Sequence, residues 1–179
     1  MAEETLSTEV IFEGRAVKLR VDTVLAADGR KTTREIVEHA ACIAVIAVDA
    51  ADNILLVRQY RRAIDKELME IPAGGIDEGE SSEEAVIREM REETSFRPQK
   101  VERFGGFYST PGFCNEYLYL YLAADVVPDP LSAEDTAGIE VVRVPLKEIP
   151  ALIASGKIED SKTIAGLLLY LEYCKSHPR

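Results

Sequence analysis

The chain has 179 residues, 32 of them acidic and 21 basic, for a formal net charge of −11. That length suits one domain with an extension and can hold a core without disulfide or metal staples. No apolar run approaches the roughly 18 residues of a membrane span, and the acidic balance opposes nucleic acid or an anionic membrane surface as a partner, since both call for basic patches. In chain order, the first forty residues read as antiparallel strands. Residues 15–25 alternate with a period of two, Asp28-Gly29 signals a tight turn, and residues 32–38 alternate again. Residues 40–48 are almost all apolar, as in a strand covered on both faces. A turn at 49–53 leads into a strand at 54–60. Pro72 and the glycines of residues 71–80 exclude regular structure there. Ser81 and Ser82 followed by Glu83 and Glu84 mark a helix start, with acids in the positive first turn, and the helix is expected over 82–94. Strands are expected at 101–108, 116–123 and 139–144. A short helix follows Pro145, and a last helix spans 161–174, where Ile164, Leu167, Leu168 and Leu171 recur at helical spacing. The order indicates an α+β chain or a mixed αβα sandwich.

Cys42, Cys114 and Cys174 form no CxxC pair and are odd in number, which reads as three thiols in a reducing compartment. The acidic start, Met1-Ala-Glu-Glu, lacks the apolar stretch of a signal peptide, so a cytoplasmic protein is expected. His39 and His177 are the only histidines. A histidine-rich zinc site is excluded by that count, and neither is placed as the base of a serine triad. The chemistry is left to carboxylates. Residues 77–93 hold eight acids and two bases, −6 of the −11. Glu89, Glu92 and Glu93, at i, i+3 and i+4, share one helix face, where like charges repel. Arg88, four residues before Glu92, is placed to hold a carboxylate. A solvated acidic face is the plain explanation, but the cluster flanks a glycine loop. A hard divalent cation would turn the repulsion into binding.

Gly74, Glu80 and the run Arg88-Glu89-Met90-Arg91-Glu92-Glu93-Thr94-Ser95-Phe96 closely resemble the Nudix box, G-x5-E-x7-R-E-U-x-E-E-x-G-U, where U is apolar. Ser95 stands where the family has glycine, which normally closes the helix at positive φ. The resemblance implies an αβα sandwich around a mixed β-sheet, with the box as loop–helix–loop. It also implies hydrolysis of a nucleoside diphosphate linked to another group. Glu89, Glu92, Glu93 and the Ala73 carbonyl would hold Mg²⁺ or Mn²⁺, two or more ions per site, with Glu92 and Glu93 central to catalysis. Gly74, Glu80 and Arg88 would support them. Such ions neutralise the diphosphate and activate water, which an acidic protein needs in order to admit an anionic substrate.

Pro111, within Tyr108-Ser-Thr-Pro-Gly-Phe-Cys-Asn-Glu116, is similar to the segment that marks ADP-ribose (ADP-sugar) pyrophosphatases. So are Gln59-Tyr-Arg61, Glu70-Ile-Pro-Ala-Gly74, residues 156–163, Phe12-Glu-Gly-Arg15 and Arg34-Glu-Ile-Val37. This implies a homodimer in which an N-terminal antiparallel sheet, residues 1–39, is exchanged between subunits beside the Nudix domain, residues 40–179. By position Arg34, Arg61 and Glu116 would contact the nucleotide sugar. Arg15 stands where some relatives stack an aromatic ring on adenine, and Glu70 is a further candidate. The general base would fall on Glu134 or Asp135, in a loop able to close over substrate. The expected reaction is Mg²⁺-dependent cleavage of ADP-ribose to AMP and ribose 5-phosphate. Hydrolysis of another nucleoside diphosphate derivative, or binding of ADP-ribose without cleavage, is the alternative.

Overall fold

Two sheets divide the chain. The computed structural model describes residues 3–133 and 136–177, which fall into two units, Met1–Ala41 with Tyr108–Tyr117, and Cys42–Phe107 with Leu118–Arg179.

In the first unit, β1 (Glu4–Glu13), β2 (Lys18–Leu25) and β3 (Lys31–Glu38) form an antiparallel sheet in that order. The expected turn between β2 and β3 is present, with Gly29 at φ 81°, a conformation glycine adopts at little cost. β1 is exposed along its whole length, including Leu6, Val10, Ile11 and Phe12. The distant segment Tyr108–Tyr117 belongs to this unit. The Val37 amide donates to the Phe113 carbonyl at 2.7 Å, and the Asn115 amide donates to the Val37 carbonyl at 3.2 Å.

The second unit is built on β4 (Cys42–Val48), β5 (Asn53–Arg61), β6 (Lys66–Glu70), β7 (Ala73–Gly75), β8 (Phe96–Tyr108), β9 (Tyr117–Pro128) and β10 (Glu140–Pro145). The main order is β10-β5-β4-β9-β8, with β6 on β5 and β7 on β4. β4 and β9 are parallel, while β4 is antiparallel to β5 and β7. β4 divides its partners: Ala47 and Val48 pair with β5, and residues 42–44 pair with β7. Between them the Val45 amide donates to the Pro72 carbonyl at 2.8 Å. The beginning of the glycine loop is therefore a strand, contrary to the expectation from its glycines and Pro72. The backbone of β4 there needs partners that β5 does not supply. β6 was not foreseen either, and β8 begins at Phe96, not at 101. Pro98 is tolerated within it because β8 ends the main order, where a missing N–H is not missed by a neighbour.

Alternation along β4 builds the core on both faces. Ala44, Ile46 and Val48 pack with Leu167 and Tyr170 of α3 (Ser161–Ser176), together with Ile149 and Ile158. Ile43, Val45 and Ala47 pack with Ala85, Val86 and Met90 of α1 (Ser82–Thr94). The sheet thus lies between α1 and α3, the expected αβα sandwich. Burying each large side chain contributes roughly 1.5–3 kcal/mol. A short 3-10 turn, Leu146–Glu148, precedes α2 (Ile149–Ala154).

The sequence expectation for α1 matches its observed bounds. Ser81 and Glu84 form a reciprocal capping box, and Glu83 and Glu84 lie in the first turn, where acids favour the helix dipole. At the other end Ser95 takes the left-handed conformation, φ 63° and ψ 17°, and its amide donates to the Arg91 carbonyl. The serine therefore keeps the geometry glycine adopts more easily. Ser95→Gly is expected to raise stability by up to about 1 kcal/mol, measured by urea denaturation.

Candidate active site

The loop–helix segment gathers its acids around one cation. Arg88 donates from Nε to Glu80 Oε1 at 2.9 Å and from Nη2 to Glu80 Oε2 at 2.8 Å. Its Nη1 donates to Glu89 Oε1 at 2.7 Å and to Glu92 Oε2 at 3.2 Å, and Nη2 also reaches the Gly75 carbonyl at 2.8 Å. The five donors of a guanidinium suit such a hub. Glu80 is held below the usual carboxylate range by the bonds from Arg88. Glu89 is pushed up, first by burial and then by the charges of Glu92 and Glu80.

Glu93 accepts a hydrogen bond from the Ala73 amide at 3.0 Å. Burial, with the nearby charge of Glu89, pushes its carboxyl up to about 8. The shift favours the protonated form. Without a bound cation, its contribution to stability is present in acid and is lost as pH rises through that range.

Gly74 is a spatial requirement. A Cβ there would overlap the Glu89 carboxylate, and the strand pairing Ile43↔Gly74 fixes the backbone on which that carboxylate rests.

Beside these acids lies a second buried network. Glu70, 1% exposed, accepts from Arg61 Nε and Nη2, each at 2.7 Å, and is paired with Lys162. Lys162 also pairs with Asp160 at 3.1 Å, and Asp160 caps α3 by accepting from the Thr163 amide. Burial alone would raise Glu70, but Arg61 and Lys162 together hold it below its ordinary range.

A cavity of about 350 Å³ is lined by Gln59, Arg61, Ala73, Gly74, Arg88, Glu89, Glu92 and Glu93, and also by Ala133, Thr136 and Ile139. The structure therefore brings Arg61, Ala73, Gly74, Arg88, Glu89, Glu92 and Glu93 together. Glu80 and Glu70 stand behind Arg88 and Arg61. Glu134 and Asp135, expected to supply the base, lie outside the described residues.

Arg15, Arg34, Pro111 and Glu116 belong to the first unit. Arg34 and Pro111 line a different cavity of about 370 Å³ together with Tyr108 and Phe113. Arg34 donates to Glu3, Glu116 lies 3.5 Å from His39 Nδ1, and Arg15 is exposed. Gln59 falls in the Gln59-Tyr-Arg61 motif and Lys162 within residues 156–163, and the sequence marks neither as a site residue. The available signal for Gln59 was its position two residues before Arg61, on the same strand face.

The donor set fits a hard divalent cation. It consists of oxygen ligands on three half-buried or buried glutamates, two of them pushed toward protonation by burial and mutual charge, which is the strain a cation relieves. Among the described residues no disulfide joins the three cysteines, and no helix is long and apolar enough to cross a membrane.

Comparison with known proteins bears on the same segment. The NUDIX domain model matches residues 38–167. An ADP-ribose pyrophosphatase of Bacillus subtilis (strain 168) is 33% identical over 174 residues, 96% of this chain and 94% of that protein. A methanol dehydrogenase activator of Bacillus methanolicus is 37% identical over 167 residues, 92% of this chain and 90% of that protein. A crystal structure of an ADP compounds hydrolase superposes with a TM-score of 0.91 at 20% identity, covering 100% of this chain and 97% of that one, a likeness of fold.

Gly74→Ala is expected to displace the Glu89 carboxylate and weaken Mg²⁺ binding by about tenfold or more, measured by calorimetry. Stability without metal is expected to change by less than about 1 kcal/mol.

Proposed function

Because this chain belongs to the NUDIX family of hydrolases, we propose that it cleaves ADP-ribose, or a closely related nucleoside diphosphate sugar, at the diphosphate. The products from ADP-ribose are AMP and ribose 5-phosphate. The observation that carries the reading is the cavity that Glu89, Glu92, Glu93 and Ala73 line together with Arg61. Likeness along nearly the whole chain to an ADP-ribose pyrophosphatase supports the substrate class.

Glu89, Glu92, Glu93 and the Ala73 carbonyl would hold Mg²⁺, or Mn²⁺, with room for more than one ion. When bound, the metal supplies charge neutralisation for the diphosphate and a more acidic water. The remaining work falls to the chain itself. Arg88 fixes Glu89 and Glu92 through direct hydrogen bonds, so the ligands do not have to be ordered when substrate arrives. The Ala73 amide fixes Glu93. Arg61, clamped by Glu70 through two donors, presents the rest of its guanidinium to a phosphoryl group. Hydrolysis adds one water across the phosphorus–oxygen–phosphorus bridge, and each product leaves with one phosphate.

Purified protein with Mg²⁺ and ADP-ribose is expected to release AMP and ribose 5-phosphate, followed by chromatography. Chelation is expected to abolish release. Glu92→Gln and Glu93→Gln are each expected to lower kcat/KM by about a hundredfold or more. Binding without any product would favour the sensing alternative. A higher kcat/KM on another nucleoside diphosphate derivative would reassign the substrate.

The proposal includes a cytoplasmic homodimer. The apolar side chains of Leu6, Val10, Ile11 and Phe12, exposed along β1, support a second copy that covers them, with the N-terminal sheet exchanged between subunits. Sedimentation is expected to show a dimer, and Val10→Asp combined with Phe12→Asp is expected to shift it to monomer.

A further inference from the structure

The mechanism above makes no use of Gln59. This residue lies on β5, two positions before Arg61, and lines the same cavity as Arg61, Glu89 and Glu93. Its carboxamide oxygen Oε1 is buried and has no hydrogen-bond partner among the described residues. A buried acceptor left unsatisfied is costly, and an exception of this kind calls for an explanation. No neighbouring side chain provides a partner in the structure. Glu89, Glu92 and Glu93, once ionised around a bound cation, are acceptors only. The Arg61 guanidinium is turned to Glu70 through Nε and Nη2.

The oxygen is closed to solvent, and because Gln59 lines the cavity a bound substrate is the remaining source of a partner. Phosphoryl oxygens carry no proton to give. A hydroxyl does, and because it both donates and accepts, it serves the carboxamide in either orientation of the amide. With Arg61 meeting the diphosphate as proposed, Gln59, two positions away on the same strand, would meet the group esterified to it.

We propose that Gln59 is a specificity residue that reads a sugar hydroxyl of the group esterified to the diphosphate, favouring polyhydroxylated leaving groups over plain alkyl ones. The inference rests on the diphosphate-hydrolase reading above. A site built to bond a hydroxyl rejects the analogue that lacks it, because the buried polar group is then left unpaired.

The test compares ADP-ribose with the butyl ester of ADP, which keeps the adenosine and diphosphate and lacks the distal hydroxyls. Mg²⁺ is present throughout, and wild type is set against Gln59→Leu and Gln59→Met. Wild type is expected to prefer ADP-ribose in kcat/KM. Both variants are expected to shrink that preference by about tenfold to a hundredfold. Thermal midpoints of the substrate-free variants are expected to be unchanged or higher, since an unpaired buried acceptor has been removed. An unchanged preference in a folded variant overturns the inference while leaving the hydrolase reading intact. A lowered midpoint in both variants, with both substrates impaired equally, assigns Gln59 a structural role and also overturns it. Failure of wild type to cleave either compound overturns both readings together.

Discussion

One guanidinium sets the terms for the rest of the second unit. Arg88 binds Glu80 twice, and Glu89, Glu92 and the Gly75 carbonyl once each. Without it, the acids on the helix face would repel one another and turn outward into solvent. With it, they are held half-buried beside a cavity, and the three carboxylates it binds, when ionised, are still two positive charges short of balance. That residual imbalance is what a bound cation would neutralise. A lysine could not do the same, since a point charge with three donors cannot satisfy several acceptors in a plane.

The backbone contributes as much as the charge. β4 is shared between β5 and β7, so the glycine loop is held in the sheet and does not hang beside it. This fixes the Ala73 amide against Glu93 and places Gly74 beneath Glu89. On another side, Glu70 is buried between Arg61 and Lys162. A buried carboxylate is tolerable only when paired and fully bonded. The arrangement fixes Arg61 at the cavity and ties it through Lys162 to the first turn of α3. The two ionic networks differ in kind. One is balanced and buried, and holds a cation of the chain. The other is deliberately unbalanced and open.

Much of this was legible in the sequence. The shared helix face of Glu89, Glu92 and Glu93, the bounds of α1 and the doubly covered β4 followed from spacing, capping chemistry and hydrophobic pattern, all of which are local, while the rest of the box came with the family resemblance. β7 was not legible, because three residues rich in glycine form a strand only when a neighbouring strand lacks a partner, and that is a tertiary fact. The early start of β8 was hidden by Pro98, whose tolerance depends on its place at the end of the strand order. Ser95 could be read as a departure from the family pattern but not as a retained left-handed turn. Gln59 carries no chemistry in isolation. Its meaning lies in an unpaired oxygen, which only packing reveals.

The divided pairing of β4 has a consequence for motion. Residues 42–44, whose ladder carries the glycine loop, lie in the same strand as Val45, Ile46 and Ala47, all fully buried. The loop cannot peel away without stripping the central strand of its backbone hydrogen-bond partners along that edge. Local opening of this segment is thereby coupled to unfolding of the whole unit, and the amides of Ala73 and Val45 should exchange with solvent as slowly as the deepest core. In many proteins binding loops are drawn from the least stable part of the fold, whereas here the glycine loop beside the candidate site is part of its most cooperative element.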